Sequence, residues 1–235
     1  MTLVAEAQAI DVLSTCRKHG IMIATAESCT GGLIAGALTD IAGSSDVVDR
    51  GFVTYSNEAK NEMIGVPLAL INSNGAVSKE VAIAMAEGAL AHSRAGISIA
   101  VTGIAGPSGG SAEKPVGLVH IASARQGFAT LHKECRFGEK SREDIRHETV
   151  LSALALVLAA LNSRSGETGK KISTLLEGFR EFAEGQIKHR PHQKPKCSAL
   201  EFIIDEKLDV AFRTIANRFE RPAIIEITKW TIDIF

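Results

Sequence analysis

Ile21-Met22-Ile23-Ala24-Thr25-Ala26, then Glu27-Ser28-Cys29-Thr30-Gly31-Gly32, then Leu33-Ile34-Ala35-Gly36-Ala37-Leu38 reads as a buried strand, a tight corner and a helix. Leu33, Ile34, Ala37, Leu38 and Ile41 fall at helical spacing and mark the inward face. A strand that turns directly into a helix is the repeating step of an α/β sheet. In such sheets ligands collect at the carboxyl ends of the strands, where this corner sits.

Working outward, the same alternation continues. Leu3, Ala7, Ile10, Val12 and Leu13 predict a helix over 3–18, stopped by Gly20. A second strand is expected over 51–56, then a helix capped by Asn57 that carries Lys60, Met63 and Ile64. Ser78 to His92 reads as a helix and Gly96 to Val101 as an apolar strand. Val116 to Ser123 and Phe128 to Phe137 read as a hairpin turning at Arg125-Gln126-Gly127. Arg142 to Leu161 predicts a long apolar helix. The expected fold is a three-layer α/β/α sandwich with a mixed, mostly parallel sheet and one antiparallel pair near its edge.

The character of the chain changes after Asn162. Ser163-Arg164-Ser165-Gly166-Glu167-Thr168-Gly169-Lys170 reads as a linker. Six of the nine phenylalanines and the only tryptophan, Trp230, lie beyond it. Two helices near 171–183 and 199–219 and a short strand at 223–227 are expected there, without a chemical motif. The division is therefore a domain at 1–164 and an unassigned extension of uncertain structure at 165–235.

Bulk properties narrow the function. With 45% hydrophobic residues among 235, the chain can bury a sizeable core. A net charge of −1 and 5% aromatics give no broad field or stacking platform for nucleic acid, and no pull towards an anionic membrane. The four cysteines, at 16, 29, 135 and 197, stand singly, so neither a disulfide framework nor a zinc site is expected and a cytoplasmic setting fits. No leader or membrane-spanning run is expected, and no metal or cofactor is called for.

Three segments carry hydroxyls or an amine beside strand ends or helix starts: TAESCTGG at 25–32, YSNEAK at 55–60 and TGIAGP at 102–107. They offer Ser28, Lys60 and Thr102 to one pocket. A serine becomes a nucleophile when a neighbour takes its proton, and a lysine with a lowered pKa can do so. That chemistry cleaves amides or esters. The same residues also fit plainer roles: Ser28 or Thr30 as a helix cap, Lys60 as a solvated charge, Tyr55 as edge packing. Cys29 is a rival nucleophile, but no histidine stands in any of the three segments to activate it. The Ser28 segment is not a G-x-S-x-G nucleophile elbow, and neither a P-loop nor G-x-G-x-x-G occurs. Arg142 and Arg146 share a helix face and suit a phosphate clamp or an ordinary charged helix start.

The combination TAESCTGGLIAGALTDIAGSSDVVDRGFVTYSNEAK, GAVSKEVAIAMAEGAL and AVTGIAGPSGGSAEKPVGLVHIA resembles the C-terminal domain of the CinA competence/damage-inducible family, over about residues 3–161. Enzymatic members of that family are nicotinamide-nucleotide amidases. The resemblance implies an amidohydrolase that converts nicotinamide mononucleotide to nicotinic acid mononucleotide and ammonia. It places the serine nucleophile on Ser28, the lysine base on Lys60 and the hydroxyl partner on Thr102. It places the substrate-pocket tyrosine on Tyr55 and the arginine that opens the last helix on Arg142; the helix start at Thr30-Gly31-Gly32 and the glycine loop with Gly103 and Gly106 are further candidates to bind the substrate's phosphate. It also implies a cytoplasmic homo-oligomer, with a dimer favoured, whose partner is a small nucleotide. Many relatives carry an N-terminal nucleotide-pyrophosphatase domain, which is not expected before Leu3. The competing reading is a catalytically silent ligand-binding module of a competence or DNA-damage protein.

Overall fold

The sheet is built around β1 (Ile23–Glu27), all five of whose residues are buried. A computed structural model describes residues 3–163 of the protein. The strand is flanked by β2 (Val48–Val53) and β3 (Ile97–Gly103), both parallel to it. Beyond β3 lie β4 (Leu118–Arg125) and β5 (Leu131–Arg136), giving the order β2-β1-β3-β4-β5. β4 is antiparallel to both its neighbours, so four strands share one direction and β4 alone opposes them. The expected mixed sheet is present, with two antiparallel pairings rather than one.

The helices are α1 (Leu3–His19), α2 (Leu33–Thr39), α3 (Asn57–Ile64), α4 (Leu68–Asn74), α5 (Lys79–Ala91) and α6 (Arg142–Asn162). Strand alternation sorts them into layers. Ile97, Ile99 and Val101 of β3 and Val119 and Ile121 of β4 form a branched apolar face, against which Leu13 of α1, Ile34 of α2 and Leu154 of α6 pack. The opposite face is built small, from Ala26, Ser98, Ala100, Thr102, Ala122 and Ala124. α5 lies on it with Val81, Met85, Ala86 and Ala89, and Ser98 Oγ donates to the Ala86 carbonyl at 2.6 Å. α3 and α4 pack beside α5 on that side. Among the described residues no helix is long and apolar enough to cross a membrane.

Three local expectations shift. Ser56, not Asn57, caps α3, its side chain accepting from the Ala59 N–H at 3.0 Å. β2 begins at Val48 rather than residue 51: Asp49 and Arg50 interrupt the apolar text but lie inside this edge strand. α4 follows Pro67 and is too short to show a period. The structure expected for 165–235 lies outside the described residues.

The crossing of α3 and α5 depends on Gly88. A Cβ built there lies 2.0 Å from the Ile64 carbonyl oxygen, a backbone atom that cannot swing aside. Gly88→Ala will therefore destabilise the domain by about 1–3 kcal/mol through overpacking, although alanine favours helices intrinsically. Comparing urea midpoints at constant m-value checks this, and equal midpoints would show that the crossing has slack.

Candidate active site

β1 delivers Ser28 to the carboxyl edge of the sheet. The Ser28 N–H donates to the Val101 carbonyl of β3 at 3.1 Å, and the Thr54 N–H donates to the Glu27 carbonyl at 2.9 Å. The strand end is thus stitched on both sides. Ser56 starts α3 immediately beyond Thr54, which puts Lys60 one turn into the helix and lets its chain fold back towards β1.

Lys60 is 1% exposed and has no carboxylate within ion-pair distance among the described residues. Its Nζ lies 3.2 Å from Ser28 Oγ, 2.9 Å from the Thr54 carbonyl, and 3.5 and 3.4 Å from the carbonyls of Tyr55 and Ser56. Burial lowers its pKa, because an ammonium there loses its hydration. The carbonyls also explain how the amine is oriented. As a neutral amine, Nζ keeps two N–H donors for carbonyl oxygens and turns its lone pair to the Ser28 hydroxyl. In that state the hydroxyl would donate to Nζ, the arrangement general-base activation needs, whereas the charged amine donates to Ser28 Oγ.

Cys29 is almost fully buried, and burial pushes its thiol up to about 12. A thiol held up in this way carries little thiolate near neutral pH, which weakens it as a rival nucleophile.

Thr102 stands one residue beyond Val101, but its Oγ1 donates to the Ala76 carbonyl at 2.8 Å. Among the described residues no hydrogen bond joins it to Ser28 or Lys60. The structure brings the serine and lysine together and leaves the threonine hydroxyl pinned to the segment before α5. Arg142 connects two of the other expected residues. Its Nη1 donates to the Gly106 carbonyl at 2.9 Å and its Nη2 to the Tyr55 hydroxyl at 3.2 Å. Tyr55 is 62% exposed, so this bridge is open to solvent. Gly103 lets β3 and β4 approach: a Cβ there would lie 2.7 Å from Val119 Cγ2.

The helix start at 30–32 is already occupied. The Glu27 carboxylate is fully buried and accepts from the N–H groups of Gly32, Ile34 and Ala35 at 3.0, 3.0 and 2.8 Å. Thr30 Oγ1 donates to it at 2.7 Å and Thr25 Oγ1 at 3.2 Å. Gly31 and Gly32 have φ values of 60° and 101°, which the turn requires and larger residues adopt poorly. Arg146 holds the same turn from α6, its Nη2 donating to the Thr30 carbonyl at 2.7 Å. A groove of about 990 Å³ runs between α2 and α6, past Leu33, Gly36, Arg142 and Arg146, without Ser28 or Lys60 in its lining. Among the described residues no cluster of three or more His, Cys, Asp or Glu is placed to hold a metal.

With this geometry in view, the family profile described as the CinA C-terminal domain matches residues 5–161. The chain belongs to the CinA family. Among curated relatives it is 50% identical over 149 residues to a CinA-like protein of Syntrophobacter fumaroxidans, covering 63% of this chain and 35% of that one. It is 49% identical over 139 residues to the protein named nicotinamide-nucleotide amidohydrolase PncC of Escherichia coli, covering 59% of this chain and 83% of that one. The chain thus spans about a third of the length of the longer relatives and most of the shorter one. The solved structure of the competence/damage-inducible protein CihA from Agrobacterium tumefaciens superposes with a TM-score of 0.67 at 55% identity, over 69% of this chain and all of that one.

Within the CinA domain, the residue that the motifs did not flag is Glu27. A sign was present: Gly32 starts α2 without any side-chain cap, so its first N–H groups needed a partner from elsewhere.

Proposed function

We propose that this CinA domain hydrolyses the carboxamide of nicotinamide mononucleotide, yielding nicotinic acid mononucleotide and ammonia, with Ser28 as nucleophile and Lys60 as base. The observation that carries the reading is a buried lysine, without a carboxylate partner among the described residues, 3.2 Å from a serine hydroxyl at the carboxyl end of a sheet. The E. coli relative's name supplies the substrate class.

Neutral Lys60 takes the Ser28 proton as Oγ adds to the carboxamide carbon. The resulting ammonium returns that proton to the departing nitrogen, and ammonia leaves an acyl ester on Ser28. Water then adds to the ester with Lys60 again accepting a proton, and collapse frees the acid and the serine. A binding module has no use for an amine buried at such cost, which speaks against the silent alternative. The decisive test is to incubate purified full-length protein with nicotinamide mononucleotide and to measure ammonia together with nicotinic acid mononucleotide. Absence of both products would remove the proposal.

The phosphate should matter to rate. With the first N–H groups of α2 committed to Glu27, Arg142 is the cation assigned to it in this reading. Charge-assisted hydrogen bonds contribute about 1.5–3 kcal/mol each. Two of them amount to roughly a hundredfold or more in kcat/KM. We expect nicotinamide mononucleotide to exceed nicotinamide riboside and free nicotinamide by that margin, partly in kcat, because remote binding orients the reacting group. Equal kcat/KM for the three would remove phosphate recognition.

The proposal includes the domain division at 164 and a cytoplasmic homodimer, which light scattering tests for assembly. A protein ending near Arg164 will keep turnover within about twofold, since the family match closes at residue 161. Loss of activity in a folded truncation would make the extension part of the functional unit.

A further inference from the structure

We infer that Glu27 is the positioning residue of the nucleophile: its buried carboxylate, filling the start of α2, fixes the turn that holds Ser28 against Lys60. This rests on the serine–lysine reading above and extends it to a residue that touches neither substrate nor base.

The argument begins with what α2 lacks. Gly32 occupies its cap position with φ of 101° and offers no side-chain acceptor. The N–H groups of Gly32, Ile34 and Ala35 would stand orphaned beneath the turn, each at a desolvation cost. One carboxylate satisfies all three and also receives the hydroxyls of Thr25 and Thr30. Oε1 takes Thr25 and Ala35, while Oε2 takes Thr30, Gly32 and Ile34. Both oxygens are therefore engaged, and the backbone from residue 30 to 35 is tied to the residue immediately before Ser28.

The consequence for Ser28 is geometric. Its N–H is fixed to Val101, and its carbonyl accepts from the Gly31 N–H at 3.1 Å. A turn tethered at residues 27, 30, 32, 34 and 35 leaves the nucleophile little freedom to move from Lys60. The buried negative charge is balanced by N–H and O–H dipoles, with the positive end of a helix added. It also makes α2 unsuited to an anionic ligand, so the catalytic turn is rigid for a reason unrelated to substrate.

Glu27→Gln separates this from a plain stability role. An amide matches the carboxylate in size, yet its NH2 group must replace one acceptor. On the Oε1 side the Thr25 hydroxyl can rotate to accept, while the Ala35 N–H loses its partner. The fold keeps most of its bonds, and the turn loosens. Misplacement of a reacting group by about 1 Å costs on the order of a hundredfold in rate. We expect kcat to fall by about that factor in the full-length variant, with KM changed less than about threefold and the pH midpoint of kcat unmoved.

Covalent labelling of Ser28 by a fluorophosphonate, mapped by mass spectrometry, reads the nucleophile without using the nucleotide. Glu27→Gln should label much more slowly than wild type, and amide exchange at Ala35 should speed up. Thr30→Val should slow labelling and Thr30→Ser should restore it, which guards against a Glu27 variant that fails to fold. Labelling of Glu27→Gln at the wild-type rate, or an equal effect of both Thr30 variants, would overturn the positioning role. Failure of the wild type to label would instead overturn Ser28 as nucleophile.

Discussion

Replacing Ser28 with alanine will lower turnover of nicotinamide mononucleotide by roughly 10⁴- to 10⁶-fold, the range seen when a nucleophile or its activator is removed from a hydrolase. The hydroxyl is the only group that accepts the acyl half of the substrate in the proposed cycle, so no milder defect is expected. Cys29→Ala, one residue away, should retain turnover within a few-fold. Its thiol is pushed up to about 12, chiefly by burial. The pair of variants is informative because both lie in one turn and neither removes a bond that Glu27 makes. Steady-state rates on the two, each confirmed folded by circular dichroism, decide the assignment. An inactive Cys29→Ala beside an active Ser28→Ala would reverse it.

Lys60→Arg will be nearly as inactive, with kcat reduced by about 10³-fold or more. The arginine keeps a positive charge, but a guanidinium does not give up its proton in a protein and so has no lone pair to offer Ser28. Wild-type activity should rise with pH. Burial lowers the Lys60 pKa, so the neutral base is present above that lowered value and is lost as pH falls through it. The midpoint should lie below the ordinary lysine value of about 10.4. A pH–kcat profile on the wild type and a single-pH assay on Lys60→Arg measure the two claims separately. Substantial activity in the variant would leave Lys60 an electrostatic role only.

What the sequence disclosed and withheld follows from the range of the contacts. β1 and β3 were legible because they are central, buried strands of mainly apolar text. β2 was displaced by three residues because an edge strand has one partner and tolerates Asp49 and Arg50. At the site, Ser28 and Lys60 stood out because each begins or follows a recognisable local corner. Thr102 was placed at the right strand end, but only the folded α4–α5 connection shows its hydroxyl turned to the Ala76 carbonyl. No motif marked Glu27, and the capless glycine start of α2 was the one hint that a partner was needed there. The partners of Glu27 are mostly backbone N–H groups, which have no residue identity and come within reach only once the corner closes.

The two faces of the sheet give the chain opposite evolutionary exposures. Beneath α1 and α6 the risk is erosion: shortening Ile99, Ile121 or Leu154 leaves a void, at about 2–5 kcal/mol for a change to alanine. Beneath α5 almost nothing remains to be trimmed from Ala26, Ala100, Ala122 and Ala124, so erosion is nearly harmless there. The danger on that side is growth, since an added methyl or isopropyl group must push a helix away from strands that carry Ser28. Drift along the α5 face is therefore one-sided. Every step towards bulk there acts directly on the scaffold of the corner that carries Ser28.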